Sequence, residues 1–339
     1  MDDSASEATQ PLSTATIGDG PEYSAPRSIG DDIYGADEQG WTALHHSASG
    51  GQKENVQLLL DRDADIEAED QKGWTALRLA AQDGHHETVQ LFLDRGADIE
   101  AAVANGWMAL HVAAENGRRE TVQLLLDRGA DIEAAVTDGW TALYIAAENG
   151  HRETVQLLLD RGADIEAKET DGKTAKHGAA LMGHHETVHL LLDRGADSEA
   201  QKDDGRTALH IAAKEGHHKV VRLLLDHDAD VEAKETNGQT ALHTVVNGGH
   251  HRIVQLLLDR CADIETTGTD GWSALHIAAL KGQRKTVHLL LDRGADTGTK
   301  KKIGWTALHL AVPLLSPWCA ILFFFGVGGR LICLSLRGG

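Results

Sequence analysis

Apolar residues recur along the chain in two short clusters every 33 residues. The segment Gly-Trp-Thr-Ala-Leu-His begins at Gly40, and close variants return at this interval as far as Gly304. In the second unit, Leu77 and Ala81 lie at helical spacing in the first cluster, and Val89, Leu91, Phe92 and Leu93 form an apolar face in the second. A glycine follows each cluster. The pattern therefore predicts pairs of short helices joined by turns.

The turn residues fit this prediction. Thr75 is a suitable N-cap for the first helix of its unit, and Gly84 and Gly96 can end the two helices in a left-handed conformation. Each helix would span about eight to ten residues, fewer than the ~12–15 that an isolated helix needs in water. One such unit cannot bury its apolar face alone, so the units must stack on copies of themselves. Residues 98–105 connect two units and can form a short β-turn or hairpin finger.

The repeated unit resembles the ankyrin-repeat family. Residues 207–213 read Thr-Ala-Leu-His-Ile-Ala-Ala, residues 84–89 read Gly-His-His-Glu-Thr-Val, and residues 96–98 read Gly-Ala-Asp, which match three motifs of the family. The resemblance covers eight complete units and the start of a ninth, from residue 40 to residue 312. Alanine stands where the family has proline after the threonine, and glutamate stands where it often has asparagine. The fold that the resemblance implies is an all-α solenoid of stacked helix-turn-helix units with short β-turn or hairpin fingers.

Two segments fall outside this array. Residues 1–39 are acidic and rich in Pro, Ser and Thr, a composition typical of disorder, although residues 30–35 match the end of a repeat and could cap the array. Residues 313–339 are apolar. Three interpretations of this tail are open: an apolar cap for the last repeat, a membrane anchor, or foreign sequence from an incorrectly assembled reading frame.

Charge and cysteine content exclude several function classes. The chain has 32 basic and 52 acidic residues, a formal charge of −20, which argues against binding to nucleic acid or to an anionic membrane. Its three cysteines are too few for a disulfide framework or a zinc site. The first residues do not form a secretory signal. We therefore expect an intracellular protein, cytoplasmic or nuclear.

Polar residues that could support catalysis or metal binding recur in many units, whereas a catalytic site is singular. The pair His85–His86 recurs in three further units. Stacked units are separated by about 8–10 Å, whereas zinc binds nitrogen at about 2.0–2.1 Å, so we expect these histidines to be structural or exposed. His45 and its equivalents should hydrogen-bond one helix start to its neighbour. No phosphate-binding loop, nucleophile elbow or metalloprotease motif occurs. We expect no catalysis, metal, cofactor or small-molecule substrate.

A row of tryptophans is the strongest candidate binding feature. It follows the first glycine of most units, a position that the resemblance places at the base of the finger, on the face that usually meets partners. Two interpretations are open: the row forms an interface, or each indole packs on the adjacent finger and stiffens the stack. Other residues interrupt the row in units five to seven, and the end of each first helix also varies. The candidate partner-binding residues are Trp41, Trp74, Trp107, Trp140, Lys173, Leu181, Met182, Arg206, Gln239, Trp272 and Trp305.

The predicted function is a non-catalytic scaffold that binds another protein through the finger tips and the first-helix face. Two alternatives are a recognition arm of a larger signalling or enzymatic protein, and a scaffold tethered to a membrane through its C-terminal tail. The fifth unit is the weakest, because Lys176 replaces a leucine and Gly178 a larger residue. A lysine at a core position should either extend to solvent or cost several kcal/mol. We therefore predict local opening around residues 172–183.

Overall fold

The computed structural model describes residues 35–299 and 306–307. Sixteen α-helices occur in these residues, two in each of eight repeats, of which repeat 1 begins at Gly40 and repeat 8 at Gly271. Each helix has seven to nine residues, close to the predicted length. In chain order the helices are α1 Ala43–Ser49, α2 Lys53–Leu60, α3 Ala76–Asp83, α4 His86–Asp94, α5 Ala109–Glu115, α6 Arg119–Asp127, α7 Ala142–Glu148, α8 Arg152–Asp160, α9 Ala175–Met182, α10 His185–Asp193, α11 Ala208–Glu215, α12 His218–Asp226, α13 Ala241–Gly248, α14 His251–Asp259, α15 Ala274–Leu280 and α16 Arg284–Asp292.

The helices pack in two parallel rows. First helices contact the first helices of the adjacent repeats, and second helices contact second helices. The core between them is continuous and consists of small and aliphatic side chains such as Ala80, Val89 and Leu143, each almost fully buried. Because every inner repeat is covered on both sides, helices too short to persist alone become stable in the stack. The all-α solenoid is therefore confirmed.

A histidine fixes the start of most first helices. In repeat 1 the backbone N–H of Thr42 donates to His45 Nδ1 (3.1 Å), so the proton of the neutral ring is on Nε2. His45 Nε2 donates to the carbonyl oxygen of Trp74 in repeat 2 (2.9 Å). His243 makes the same bond to the carbonyl oxygen of Trp272 (3.1 Å). These two histidines thus tie a helix start to the next repeat, as predicted, whereas His111 Nε2 donates to the carbonyl oxygen of Ala134 in its own repeat (2.9 Å).

Two repeats have another residue in place of this histidine. In repeat 2 Thr75 is the N-cap, as predicted, but its side chain makes no capping hydrogen bond. Arg78 is buried there, and its guanidinium donates to the carbonyl oxygens of Ala101 (3.0 Å) and Gly73. In repeat 4 the equivalent residue is Tyr144, which is also buried.

Residues in the left-handed backbone conformation end the helices at the predicted turns. Gly84 has a φ of 79° and Gly96 a φ of 86°. At positions equivalent to Gly96, three repeats have a residue with a side chain in the same conformation: Asp63 (φ 61°), Asp228 (φ 60°) and Cys261 (φ 66°). A left-handed conformation is costly for residues other than glycine, and aspartate tolerates it better than cysteine.

The fingers between repeats are tight hairpins that bond to one another. In the finger before repeat 2, Asp70 N–H donates to the carbonyl oxygen of Trp74 (2.9 Å), and Gln71 N–H donates to the carbonyl oxygen of Gln39 in the preceding finger (3.1 Å). The fingers therefore form a hydrogen-bonded row along one edge of the stack, which confirms the predicted hairpins. Equivalent bonds join Thr137 to Asn105, Thr170 to Asp138, Asp203 to Asp171, Thr236 to Asp204, and Thr269 to Asn237.

The acidic residues also connect repeats. Glu67 Oε1 accepts the backbone N–H of Asp98 in the next repeat (2.7 Å), and the same bond recurs as far as Glu265. At the end of the second helix, Asp94 pairs with Arg128 of the next repeat (2.8 Å). Exposed pairs of this kind contribute about 0–1 kcal/mol each, so they add little to the stability of the stack.

Candidate partner-binding surface

Two tryptophans of the row are bonded to the next finger. Trp41 Nε1 donates to Asp70 Oδ2 (3.1 Å), and Trp140 Nε1 donates to Glu169 Oε2 (3.0 Å). The indole of Trp140 also stacks on the ring of Tyr144, with centroids 5.5 Å apart. Both indoles are half-buried. Their geometry favours the interpretation in which the row stiffens the stack.

The other described residues of the row are also partly buried. Trp107 and Trp272 each meet the histidine four residues later edge-on, with ring centroids 6.2 and 6.3 Å apart. The backbone N–H of Trp74 donates to Asp70 Oδ1 (2.8 Å). The backbone N–H of Gln239 is bonded to the asparagine two residues earlier. Trp305 lies outside the described residues.

The two charged members of the row each pair with an acidic side chain of a finger. Arg206 Nε lies 3.2 Å from Glu235 Oε1, at the position where Trp41 and Trp140 meet an acid. Lys173 would meet Lys202 there. Its Nζ instead lies 3.4 Å from Glu169 Oε1, in the finger that immediately precedes Lys173. The polar interruption is therefore held by ion pairs in repeats 5 and 6, whereas Gln239 of repeat 7 is uncharged.

The ends of the first helices form a second variable row, which we call the helix-end row. It comprises residues 82–83, 115–116, 148–149, 181–182, 214–215, 247–248 and 280–281. The carbonyl oxygen of Leu181 accepts from His217 Nε2 of the next repeat (2.8 Å), and the leucine side chain is half-buried. Met182 follows it and is 43% exposed.

The exposure of Met182 does not arise from its place in the stack. Leu58, Leu280 and Leu291 are also exposed, but they lie in the first and last repeats that the structure describes in full, where a complete neighbouring repeat is described on one side only. Met182 lies in repeat 5, with complete repeats on both sides. The exposure of its thioether side chain therefore results from its position in the helix-end row and not from an end of the stack.

Glu148, one repeat earlier in the same row, lies in an unusual environment. Burial raises the pKa of its carboxyl group, and the charge of Lys173 partly offsets this effect. The same carboxyl group hydrogen-bonds Tyr144, and burial raises the pKa of that phenol. An acid, a phenol and a lysine thus meet at the junction of repeats 4 and 5.

The paired histidines have a structural contact in several repeats. His85 Nε2 donates to the carbonyl oxygen of Ser49 in the preceding repeat (2.9 Å). His250 makes the same contact with Lys214 (2.9 Å). The preceding repeat has glycine beside each ring: a Cβ at Gly51 would lie 2.5 Å from His85 Nδ1. The first histidine of these pairs therefore connects adjacent repeats, which agrees with the structural role that its recurrence predicts.

One group of polar residues was missed by reasoning from recurring motifs. His189, Asp193 and His227 each offer a possible ligand atom, and these atoms lie within 4.8 Å of one another. The sequence signal that could have revealed this group is a departure from the repeat, because the two histidines stand at positions that are usually glutamine and arginine.

A family model for ankyrin repeats matches residues 27–103, 99–169, 162–235 and 229–301. The chain belongs to the ankyrin-repeat family. Ankyrin repeats are general protein–protein interaction modules, and the fold is typically non-catalytic. A comparison with curated proteins gave no match.

A membrane-spanning helix was one open interpretation of the C-terminal tail. Among the residues that the structure describes, no helix is long and apolar enough to cross a bilayer. The tail, residues 313–339, lies outside the described residues, as do the matched repeat end at 30–34 and most of the predicted ninth unit.

Proposed function

We propose that the ankyrin array binds another protein through the helix-end row, with Met182 as the central apolar contact. The exposure of Met182 in the middle of the stack is the observation that carries this proposal. Exposed methionine is common at binding surfaces because its flexible side chain adapts to a partner. The buried positions of the repeats hardly vary, so variation in the helix-end row can determine specificity without affecting the fold.

The charges around Met182 define the chemistry of the partner. Repeats 3 and 4 contribute Glu115 and Glu148 to the row, whereas repeat 6 contributes Lys214 beside Glu215. A protein segment that places an apolar side chain at Met182, with a basic residue on one side and an acidic residue on the other, complements this arrangement. Electrostatic complementarity of this kind mainly sets specificity and the rate of association.

The finger residues have a supporting role in this proposal. Trp41, Trp140 and Arg206 hold neighbouring fingers together, which makes the surface rigid before the partner arrives. A rigid surface loses less conformational entropy on binding. The indole faces that stay exposed form the rim of the interface.

The test is photo-crosslinking in cells with a benzophenone amino acid at position 182. A matched control carries the same amino acid at Gln90, which is exposed on a second helix. We expect the probe at 182, but not at 90, to capture a defined protein. Met182→Glu should then lower the recovery of that protein at least about tenfold, as expected for loss of an interface anchor, while Gln90→Glu leaves it unchanged. Equal capture from both positions, or equal recovery by both variants, would contradict the proposal.

A further inference from the structure

Two substitutions that break the repeat pattern lie next to each other in the row of second helices. The position of His189 is glutamine in five of the eight repeats, and the position of His227 is arginine in the other seven. The two residues are 38 positions apart in the sequence. They meet because α10 of repeat 5 packs against α12 of repeat 6, and His227 directly follows α12.

Asp193 lies beside the His189 ring. Its Oδ2 is 2.7 Å from His189 Nδ1, one helical turn away. The His189 and His227 rings meet edge-on with centroids 5.6 Å apart. One ligand atom from each of the three residues lies within 4.8 Å of the other two.

The same position is electrostatically different in other repeats. Asp160 pairs with Arg194 at 2.8 Å, and Asp226 pairs with Arg260 at 2.5 Å. In both cases a guanidinium of the next repeat neutralises the carboxylate. At Asp193 the next repeat presents an imidazole instead. Asp193 thus has two imidazoles nearby where the equivalent aspartates pair with an arginine. It therefore lacks the permanent positive charge that those aspartates have beside them.

We propose that His189, Asp193 and His227 form a binding site for a divalent transition-metal ion of the zinc class. Two imidazole nitrogens and one carboxylate oxygen are a frequent ligand set for such ions, with water completing the tetrahedron. Ligands at about 2.0–2.1 Å from a tetrahedral ion are about 3.4 Å apart, so no separation has to shorten by more than about 1.4 Å. His189 and Asp193 are exposed, which leaves their side chains free to rotate into this geometry.

The position of the site gives it a structural effect. The ligands come from repeat 5 and repeat 6, so a bound ion bridges the two repeats. The ion also supplies the positive charge that arginine supplies elsewhere in the stack. Because the ligands converge only in the folded array, metal binding should stabilise the fold.

The main test is titration of the tag-free full chain with ZnCl₂ by calorimetry. His227→Arg and His189→Gln each restore the residue that most repeats carry, so both variants should fold. We expect each to lower zinc affinity about tenfold or more, since even indirect partners of a metal ligand are worth 10–100-fold. His288→Gln is the matched control, because it removes a histidine from the equivalent position of repeat 8. It should leave the affinity unchanged.

Two further measurements separate this site from general binding to a histidine-rich surface. Zinc should raise the Tm of the wild type and of His288→Gln, but not that of His227→Arg. With Cu²⁺ as the probe, paramagnetic resonance should show two coupled nitrogens in the wild type and one in His189→Gln. Equal zinc affinity in the wild type and His227→Arg, or an equal loss in His288→Gln, would overturn the proposal.

Discussion

The ring of Tyr144 in repeat 4 occupies the space that a side chain at Gly178 in repeat 5 would fill. A Cβ at Gly178 would lie 3.3 Å from Tyr144 Cζ and 3.3 Å from Glu148 Cβ. Gly178 is the only glycine at its position in the repeats, and Tyr144 is the only tyrosine at a position that is usually histidine. The two exceptions therefore compensate each other: the glycine makes room for the larger ring.

This relationship predicts coupling between the two positions. Gly178→Ile should lower the free energy of unfolding by about 1–3 kcal/mol, because the added atoms overpack the junction. In a Tyr144→His background the same substitution should cost much less, since histidine is the common residue there. A double-mutant cycle measured by urea unfolding gives the coupling energy. Equal costs of Gly178→Ile in both backgrounds would show that the two residues do not compensate each other.

Lys176 gives a second stability prediction. The residue is 1% exposed, so it does not extend to solvent, and its Nζ donates to the carbonyl oxygen of Asp197. Burial lowers the pKa of its ammonium group from the usual 10.5. Lys176→Leu should therefore raise the free energy of unfolding at pH 7 by about 1–3 kcal/mol. The exposed Lys168→Leu, as control, should change it by less than about 0.5 kcal/mol.

The effect of Lys176 should depend on pH. The unfolded chain holds the lysine proton more tightly than the folded chain, so the penalty is complete below the folded pKa and disappears as the pH rises toward 10.5. The advantage of Lys176→Leu should shrink over that interval. Hydrogen exchange should also be fastest in residues 172–183 of the wild type and slower in the variant. Exchange there no faster than in repeats 3 and 6 would contradict the local opening.

The sequence was sufficient to predict the architecture of the array. A strict 33-residue period places every helix, turn and finger, because the same local interactions repeat in every unit. The turn glycines Gly84 and Gly96 and the bridging role of His45 followed from residue type and position alone.

Interactions between different positions of adjacent repeats were harder to predict. From the sequence alone, Gly178 is interpreted as a loss of core packing. The structure shows that the ring of Tyr144 lies beside it, and the sequence does not give that distance. Trp140 could equally form an interface or contact a finger, because the position of Glu169 relative to its indole depends on how the repeats stack. His189 and His227 become neighbours for the same reason. The sequence does carry one signal for two of these contacts: in the pairs Gly178–Tyr144 and His189–His227, two residues that depart from the repeat pattern occur in adjacent repeats.

Acid should destabilise the array through its buried imidazoles. Burial, with a smaller contribution from the charge of Lys176, lowers the pKa of His177 to about 4 from the usual 6.5. Burial also lowers the pKa of His111 and His243. The unfolded chain therefore binds more protons than the folded chain over this interval, so stability falls as the pH drops from 6.5 to about 4. His177 alone should account for a few kcal/mol of the loss.

Urea unfolding between pH 7 and pH 4.5 measures this loss. His177→Gln should flatten the pH dependence, whereas His86→Gln, which alters an exposed histidine, should leave it as in the wild type. An NMR titration in which the His177 ring ionises near pH 6.5 would contradict the proposed cause.

The left-handed conformation of Cys261 gives the last prediction. At the equivalent Gly96 and Gly129 an added Cβ would have no atom within 4 Å, so the side chain of Cys261 costs energy through the backbone alone. Cys261→Gly should raise the free energy of unfolding by about 1 kcal/mol, and Gly129→Ala should lower it by a similar amount. Asp63→Gly should gain less, because aspartate tolerates this conformation better. Urea unfolding in the presence of a reductant makes the comparison without oxidation of the exposed thiol. An unchanged stability of Cys261→Gly beside a destabilised Gly129→Ala would mean that the Cys261 side chain makes compensating contacts.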